Sequence, residues 1–333
     1  MDSRQRFDVI GGPAISAILS ESKPEILALV RDTYLLHHAA RTTNPDSYFL
    51  RFDDKPTARI IALPARLRGA DDIAGIKWIA SFPENRDIPL ARASAVVVLN
   101  DMATGFPYAC LEGSQISAAR TAASATLAAG ILHRGKRAER VAVIGAGPIA
   151  KTIVDFMLAT GWSVEQFQVH DLIAARAREL CESLQQSGMR AESAASARHA
   201  IEGADLVVFA TTAARPYIDD PALFTPEQTV LHVSLRDLGV DVILSAQNVV
   251  DDVEHCLKAQ TSVHLAEQRT GSRSFVNGTI GDLISERLQP DRSRARIFSP
   301  FGLGVLDIAL AHFVHERAVA GGRARMIDDF FVS

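Results

Sequence analysis

Residues 141–150 read VAVIGAGPIA. An apolar run of strand length meets three small residues, Gly145, Gly147 and Ala150, in the spacing G-x-G-x-x-A, and the helical stretch IAKTIVDFMLATG follows. Each small residue answers a steric demand. Gly145 permits a tight turn, Gly147 lets a pyrophosphate approach free backbone N–H groups at a helix N-terminus, and Ala150 lets the helix lie close on the strand. Pro148 and Ile149 open that helix and join the candidate cofactor contacts. The next strand, QFQVHD, ends in Asp171, at the place about 20 residues on where the dinucleotide fingerprint carries an acid. A carboxylate there accepts both ribose hydroxyls and repels a 2′-phosphate, so the pattern predicts NAD in preference to NADP. The plain alternative is a tight strand–helix turn that holds no ligand.

The same style continues on either side of this stretch. ADLVVFATT, TVLHVSL and QNVVDD are short apolar strands that alternate with helical segments such as IAARARELCESLQQSG. That alternation predicts βαβ units and a parallel sheet, a Rossmann-type α/β domain. Ligands of such sheets sit beyond the carboxyl ends of the strands. Thr211, Thr212 and Ser234, which end two strands, are therefore candidates, and each serves equally well as a strand-terminating cap. His170 is expected to point into the sheet packing. Upstream, PEILALVRDTYLLHHAA (24–40) has helical spacing, while SYFLRF, ARIIAL, IAGIKWIASF and SAVVVLND are strand-like and separated by turn residues. This reads as a smaller α+β domain, a helix packed on an antiparallel or mixed sheet. After RIFSPFGLG comes a last amphipathic helix, around Leu306–Val319, with no strand left to cross over to. It is expected to return to the first domain, giving 1–125 with 306–333 around a dinucleotide domain at 126–305.

Composition narrows the class. A chain of 333 residues is long for one core and suggests two domains. The 47% hydrophobic and 22% charged content is that of an ordinary soluble protein. A net charge of -4 gives no sign of a nucleic-acid partner. Cys110, Cys181 and Cys256 are far apart and odd in number, so no complete disulfide framework is expected, as for reduced thiols in a cytoplasmic protein. The start, MDSRQRFDVIGGP, has no apolar stretch of signal-peptide length, and the run AVVVL (95–99) falls far short of the roughly 20 residues of a membrane span. No membrane partner is expected. His37, His38, His312 and His315 show no metal-ligand spacing, and no metal is expected.

Two cations stand out. Residues 116–132, ISAARTAASATLAAGIL, carry small side chains of high helix propensity around one Arg. Ser117 is the candidate N-cap. That places Arg120 in the first turn, where the helix dipole disfavours a cation. Two roles fit: a substrate carboxylate held by the guanidinium fork and the helix N-terminus together, or a structural salt bridge to an internal acid such as Glu112. Lys77 sits mid-strand in GIKWIAS between apolar neighbours. Lys is seldom buried unpaired. It either faces solvent, binds a carboxylate, or works as an acid/base with a pKa lowered by burial.

GIKWIASFPEN, LNDMATGFPYACLEGSQISAARTAASA and VIGAGPIA resemble the ornithine cyclodeaminase/μ-crystallin family, from about residue 45 to FGLGVLDIALA. FLRFDDKPTARIIALPA and HVSLRDL resemble most the branch that makes 2,3-diaminopropionate in siderophore biosynthesis. The resemblance implies a homodimer with a first domain for substrate and dimer contacts and a Rossmann domain for NAD. It implies that Lys77 and Arg120 face a small amino-acid substrate and that Asp237, in SLRDLG, serves the chemistry. Thr121 and Phe301 are further cofactor candidates, the latter in the loop FSPFGLG, which is expected to close over the nicotinamide. The implied reaction is NAD-dependent oxidative cleavage of N-(2-amino-2-carboxyethyl)-L-glutamate to 2-oxoglutarate and L-2,3-diaminopropionate. Two departures argue against ornithine as substrate. Ile61 stands where the cyclodeaminases carry an acid, and Ser47 stands where they carry an Arg, with Arg51 four residues on. Ser47 and Arg51 are thus the remaining substrate-binding candidates. The alternatives are a cyclodeaminase or cyclic-ketimine reductase acting on another amino acid, and a dinucleotide-dependent binding protein without turnover, as the μ-crystallin branch suggests.

Overall fold

The computed structural model describes residues 6–331. They fall into two units, one running up to Arg120 and resuming at Leu303, the other spanning Thr121–Gly302. The sequence pattern put these divisions at 125 and 306. The first of them lies inside a continuous helix, so no turn residue marks it.

In chain order, β1 (Phe7–Ile10), α1 (Gly12–Glu21), α2 (Lys23–His38), β2 (Thr42–Thr43), β3 (Tyr48–Phe52), β4 (Lys55–Arg68), β5 (Asp72–Ser81), β6 (Ala93–Asp101) and β7 (Pro107–Glu112) lead into α3 (Ser114–Leu132). The second unit continues with β8 (Arg137–Ile144), α4 (Pro148–Ala159), β9 (Ser163–His170), α5 (Ala174–Gln186), β10 (Ala191–Ser193), α6 (Ala197–Ile201) and β11 (Leu206–Phe209). It is completed by β12 (Thr229–His232), α7 (Val240–Ser245), β13 (Gln247–Val250), α8 (Val253–Cys256), α9 (Ser262–Thr270), β14 (Val276–Thr279), α10 (Ile280–Ile284) and β15 (Arg296–Ser299). The chain then returns to the first unit with α11 (Gly304–Ala320) and β16 (Arg325–Ile327).

The first unit is a mixed sheet in the order β16-β1-β7-β6-β5-β4-β2, with β3 also paired to β4. All its pairings are antiparallel except β1 with β7. Helix α11 packs across β4, β5 and β6 and against α1 and α2. The expectation of an amphipathic helix here needs correction. Residues 304–311 are all buried, so this end of α11 is enclosed on every side. One of those residues is an aspartate.

The second unit is an eight-stranded sheet in the order β10-β9-β8-β11-β12-β15-β13-β14, parallel throughout. Strands β11, β12, β13 and β15 are buried along their whole length, the continuous burial of a sheet covered on both faces. From β8 the chain adds β9 and β10 on one side and β11 onward on the other. The carboxyl ends of β8 and β11 are therefore the topological switch point, the place where such sheets bind ligands. Among the described residues, no helix is long and apolar enough to cross a membrane.

One glycine fixes how closely the first sheet packs. A Cβ added to Gly75 would fall 2.3 Å from the Val98 carbonyl oxygen and 3.0 Å from Ile308 Cδ1. Gly75→Ala should therefore force β5, β6 and α11 apart and cost about 1–3 kcal/mol, the usual penalty of overpacking. Urea unfolding measures it, and an unchanged midpoint would contradict this packing.

Candidate functional site

Strand β5 runs between β4 and β6, with Lys77 opposite Leu63 and Val97 on the face that α11 covers. Only 2% of Lys77 is exposed, and Asp307 on α11 is fully enclosed. Lys77 Nζ donates to Asp307 Oδ2 at 2.7 Å, and Arg120 Nε donates to the other oxygen, Oδ1, at 3.1 Å. Ser117 Oγ accepts from both cations, from Lys77 Nζ at 3.1 Å and from Arg120 Nη2 at 3.2 Å. The cluster holds two cations for one carboxylate. Burial lowers the Lys77 pKa to about 8, against the pull of the Asp307 charge and with help from Arg120. Burial pushes the Asp307 carboxyl up, yet Arg120 and Lys77 together hold it below the usual carboxylate range.

This geometry corrects the reading of Arg120. Helix α3 begins at Ser114, and the Glu112 carboxylate caps it by accepting the Ser114 N–H at 2.7 Å and the Gln115 N–H at 3.2 Å. Ser117 is therefore inside the helix, Arg120 is in its second turn, and Glu112 is occupied as a cap. The internal acid of Arg120 is Asp307. Sequence reasoning passed over it, although a lone carboxylate in the apolar run GVLDIALA was the available signal. Of the other substrate candidates, Ser47 precedes β3 and is half-buried, while Arg51 is exposed on β3 with its guanidinium 5.2 Å from the Phe49 ring centroid.

In the second unit, the turn after β8 has the shape the glycine spacing requires. Gly145 adopts φ +89°, and a Cβ there would fall 2.6 Å from the Ala210 carbonyl oxygen. Gly147 is the N-cap of α4, followed by Pro148, and a Cβ there would meet nothing within 4 Å. The open space beside Gly147 fits an approaching pyrophosphate. Ile149 is half-buried behind it. Asp171 binds the turn itself. Its Oδ2 accepts the Ala146 N–H at 2.8 Å and its Oδ1 accepts the Ile173 N–H at 2.8 Å. Each oxygen keeps further acceptor capacity, as ribose hydroxyls would need. His170 lies in the sheet, with Nδ1 3.1 Å from the Ala194 carbonyl oxygen.

Asp237 is fully buried at the ends of β11 and β12. Its carboxylate accepts from Thr211 Oγ1 at 2.5 Å, from Tyr217 OH at 3.1 Å and from Ser234 Oγ, and His232 Nε2 lies 3.4 Å from Oδ2. Burial raises the Asp237 carboxyl, but His232 and the Ser234 and Thr211 hydroxyls prevail and hold it below its ordinary value. Burial and the Asp237 charge push the Tyr217 phenol up. Tyr217 had no motif to announce it. Thr212 is exposed, and Thr121 is half-buried on α3. Phe301 packs beside Val250, Cys256, Leu257 and Val263, in a loop whose Phe301 and Gly302 N–H groups are held by Asp251 at 2.9 and 2.7 Å. Among the described residues, no cluster of three or more His, Cys, Asp or Glu is placed to hold a metal ion.

These features define a two-unit α/β protein with a dinucleotide-type turn in one unit and a buried cationic centre in the other. The profile of the ornithine cyclodeaminase/mu-crystallin family matches residues 29–322, and the chain belongs to that family. The N-((2S)-2-amino-2-carboxyethyl)-L-glutamate dehydrogenase of Staphylococcus aureus is 29% identical over 267 residues, covering 78% of this chain and 79% of that protein. The Delta(1)-pyrroline-2-carboxylate reductase of Thermococcus litoralis, solved with NADH and L-proline, superposes with a TM-score of 0.89 at 22% identity, covering 96% of this chain and all (100%) of that one. An archaeal alanine dehydrogenase dimer with bound NAD gives a TM-score of 0.87 at 24% identity, over 98% and 100% of the two chains.

Removing the shared carboxylate should be costly. Asp307→Ala leaves two buried cations without their anion and is expected to destabilise the protein by about 3–5 kcal/mol, with Asp307→Asn less affected because it keeps the shape and one acceptor. Urea denaturation of both variants reads this. Wild-type stability in the Ala variant would contradict the arrangement.

Proposed function

We propose that this protein is an NAD-dependent secondary-amine dehydrogenase that converts N-(2-amino-2-carboxyethyl)-L-glutamate, with water, to 2-oxoglutarate and L-2,3-diaminopropionate, a diamine suited to siderophore or related natural-product synthesis. The observation that carries the reading is the Lys77–Asp307–Arg120 cluster, a buried centre with an excess positive charge and a Lys whose pKa is about 8. An anion is what such a centre lacks, and a base near pH 8 is what amine oxidation needs. The printed activity of the Staphylococcus aureus relative supports the choice of substrate.

In this reading Arg120 holds a substrate carboxylate with the donors of its fork that Asp307 and Ser117 do not use. Lys77 takes the proton from the secondary ammonium, leaving the nitrogen lone pair free. NAD, when held by the turn at Gly145 and Gly147, would supply the acceptor for a hydride from the glutamate Cα. Water then adds to the substrate iminium carbon, both of its protons pass in turn to the substrate nitrogen as the C–N bond breaks to leave the keto acid and the primary ammonium, and Lys77 releases the proton it took to solvent. Gly145, Gly147 and Asp171 hold the dinucleotide, with Asp171 favouring NAD. Asp237 acts by orienting Thr211, Ser234 and Tyr217 at the ends of the central strands.

A homodimer completes the reading. The face of the first sheet away from α11 aligns Tyr48, Ala62, Trp78 and Val96 in one register row. Tyr48 is 74% exposed, Trp78 42% and Val96 40%. Such an apolar face is covered in most soluble proteins, and a second copy fits the dimeric form of the archaeal alanine dehydrogenase. Cys110, Cys181 and Cys256 are all free thiols, in keeping with a reducing, cytoplasmic setting.

The test is product analysis. Incubation with NAD and the diamino-tricarboxylate should give NADH, 2-oxoglutarate and 2,3-diaminopropionate in equal amounts. Absence of NADH formation, or efficient reduction of Δ1-pyrroline-2-carboxylate in its place, would overturn the reaction. NAD should be the better cofactor and Asp171→Ser should narrow its advantage. Equal kcat/KM with NADP in the native protein would contradict the role of Asp171.

A further inference from the structure

The sheet face that carries Lys77 continues past the covered centre. Cross-strand partners share a face, so the register gives successive rows along β3, β4 and β5. The row of Lys77 and Leu63 is followed by Phe49, Ile61 and Ile79, and then by Arg51, Arg59 and Ser81. Exposure rises across the rows toward the edge strand: Lys77 and Ser81 on β5 are 2% and 8% exposed, Ile61 and Arg59 on β4 are half-buried, and on β3 Phe49 is 38% exposed and Arg51 is exposed. The rows therefore read cation, apolar, cation, over about 13 Å of strand at 3.3 Å per residue. Two long side chains leaning inward shorten that gap. Arg51 does lean inward, with its guanidinium over the Phe49 ring of the intervening row.

Arg51 and Arg59 lie directly opposite each other. Two guanidinium side chains on facing positions concentrate positive charge in this row. Arg92 adds a third cation to the same row, donating from Nη1 to Ser81 Oγ at 3.0 Å. Among the described residues, no other row of this sheet face pairs two arginines in its register.

We infer that Arg51 and Arg59 form a second carboxylate site, separated by the apolar row from the Lys77–Arg120 centre, so that the protein selects substrates whose carbon chain ends in a second carboxylate. The apolar row of Phe49, Ile61 and Ile79 accommodates the methylenes between the two anions. Arg59 is thereby a specificity-determining residue. The inference rests on the proposed function for its first anchor and adds the residues that hold the substrate's second carboxylate.

Binding separates the two ideas, because it needs no turnover. The NADH-loaded wild type, Arg51→Gln and Arg59→Gln proteins are titrated calorimetrically with 2-oxoglutarate, which has two carboxylates, and with 2-oxobutanoate, which has one. The wild type should prefer the dicarboxylate by about tenfold or more, the factor that one charge-assisted hydrogen bond supplies. Each variant should lose most of that preference while binding 2-oxobutanoate as the wild type does. A wild type without the preference, variants that keep it, or variants that weaken both ligands alike would overturn the site. If the preference is present and sensitive to Arg59 while the diamino-tricarboxylate is not oxidised, the second carboxylate site stands and the proposed reaction fails.

Discussion

The carboxylate of Asp307, shared between Lys77 and Arg120, is the contact on which the first unit depends. It joins α11, β5 and α3, elements drawn from the end, the beginning and the middle of the chain. Burying three ionised groups has a large desolvation cost, which only close pairing and further hydrogen bonds offset. The Ser117 hydroxyl supplies such a bond to each cation. The compensation is incomplete by one charge, and burial, with a smaller push from Arg120, depresses the Lys77 pKa against the pull of Asp307. In the proposed function, this centre with one excess positive charge receives an anionic substrate and its lysine exchanges the proton. The return of the last helix to the first unit follows from the same contact, since no other described residue gives Lys77 and Arg120 a common acid.

Three of the four buried carboxylates among the described residues solve one desolvation problem in three ways. Asp307 uses cations. Asp237 uses hydroxyls from Thr211, Ser234 and Tyr217, beside the His232 ring. Asp251 uses backbone N–H groups, which fix the loop carrying Phe301 and Gly302. The chemical consequences differ. His232, together with the Ser234 and Thr211 hydroxyls, holds Asp237 below the usual carboxylate range. Paired cations make the Asp307 centre responsive to charge and to pH, as the proposed function requires of it.

The stretch VAVIGAGPIA was legible because its three small residues each satisfy a separate local requirement, and the structure shows the positive φ of Gly145 and the open space beside Gly147. The alternation that follows was legible for the same local reason, period and punctuation. What escaped was set by distant partners. Strand β1 is four residues long and pairs with β7, whose sequence PYACLE opens with a proline that gives no strand signal. The start of α3 depends on the Glu112 carboxylate reaching forward to two N–H groups, which competes with the Ser117 cap suggested by local sequence. Asp307 lies 230 residues from Lys77 and 187 from Arg120, a separation no local pattern spans. Arg59 and Tyr217 gain meaning only from strand register and from the fold of a loop around Asp237.

The most direct test of this account is the pH dependence of kcat/KM for amine oxidation in the wild type and in Asp307→Asn. Lys77 must be neutral to accept a proton, so kcat/KM should rise as pH increases through about 8. The Asp307 charge favours the protonated lysine, and its removal must lower the Lys77 pKa, moving the rising limb to lower pH. Titration of the substrate amine is common to both proteins and cannot produce such a difference. A midpoint that moves down in Asp307→Asn is the predicted result. A midpoint that stays in place or moves up would contradict the claim that Lys77 is the base and that Asp307 sets its proton affinity.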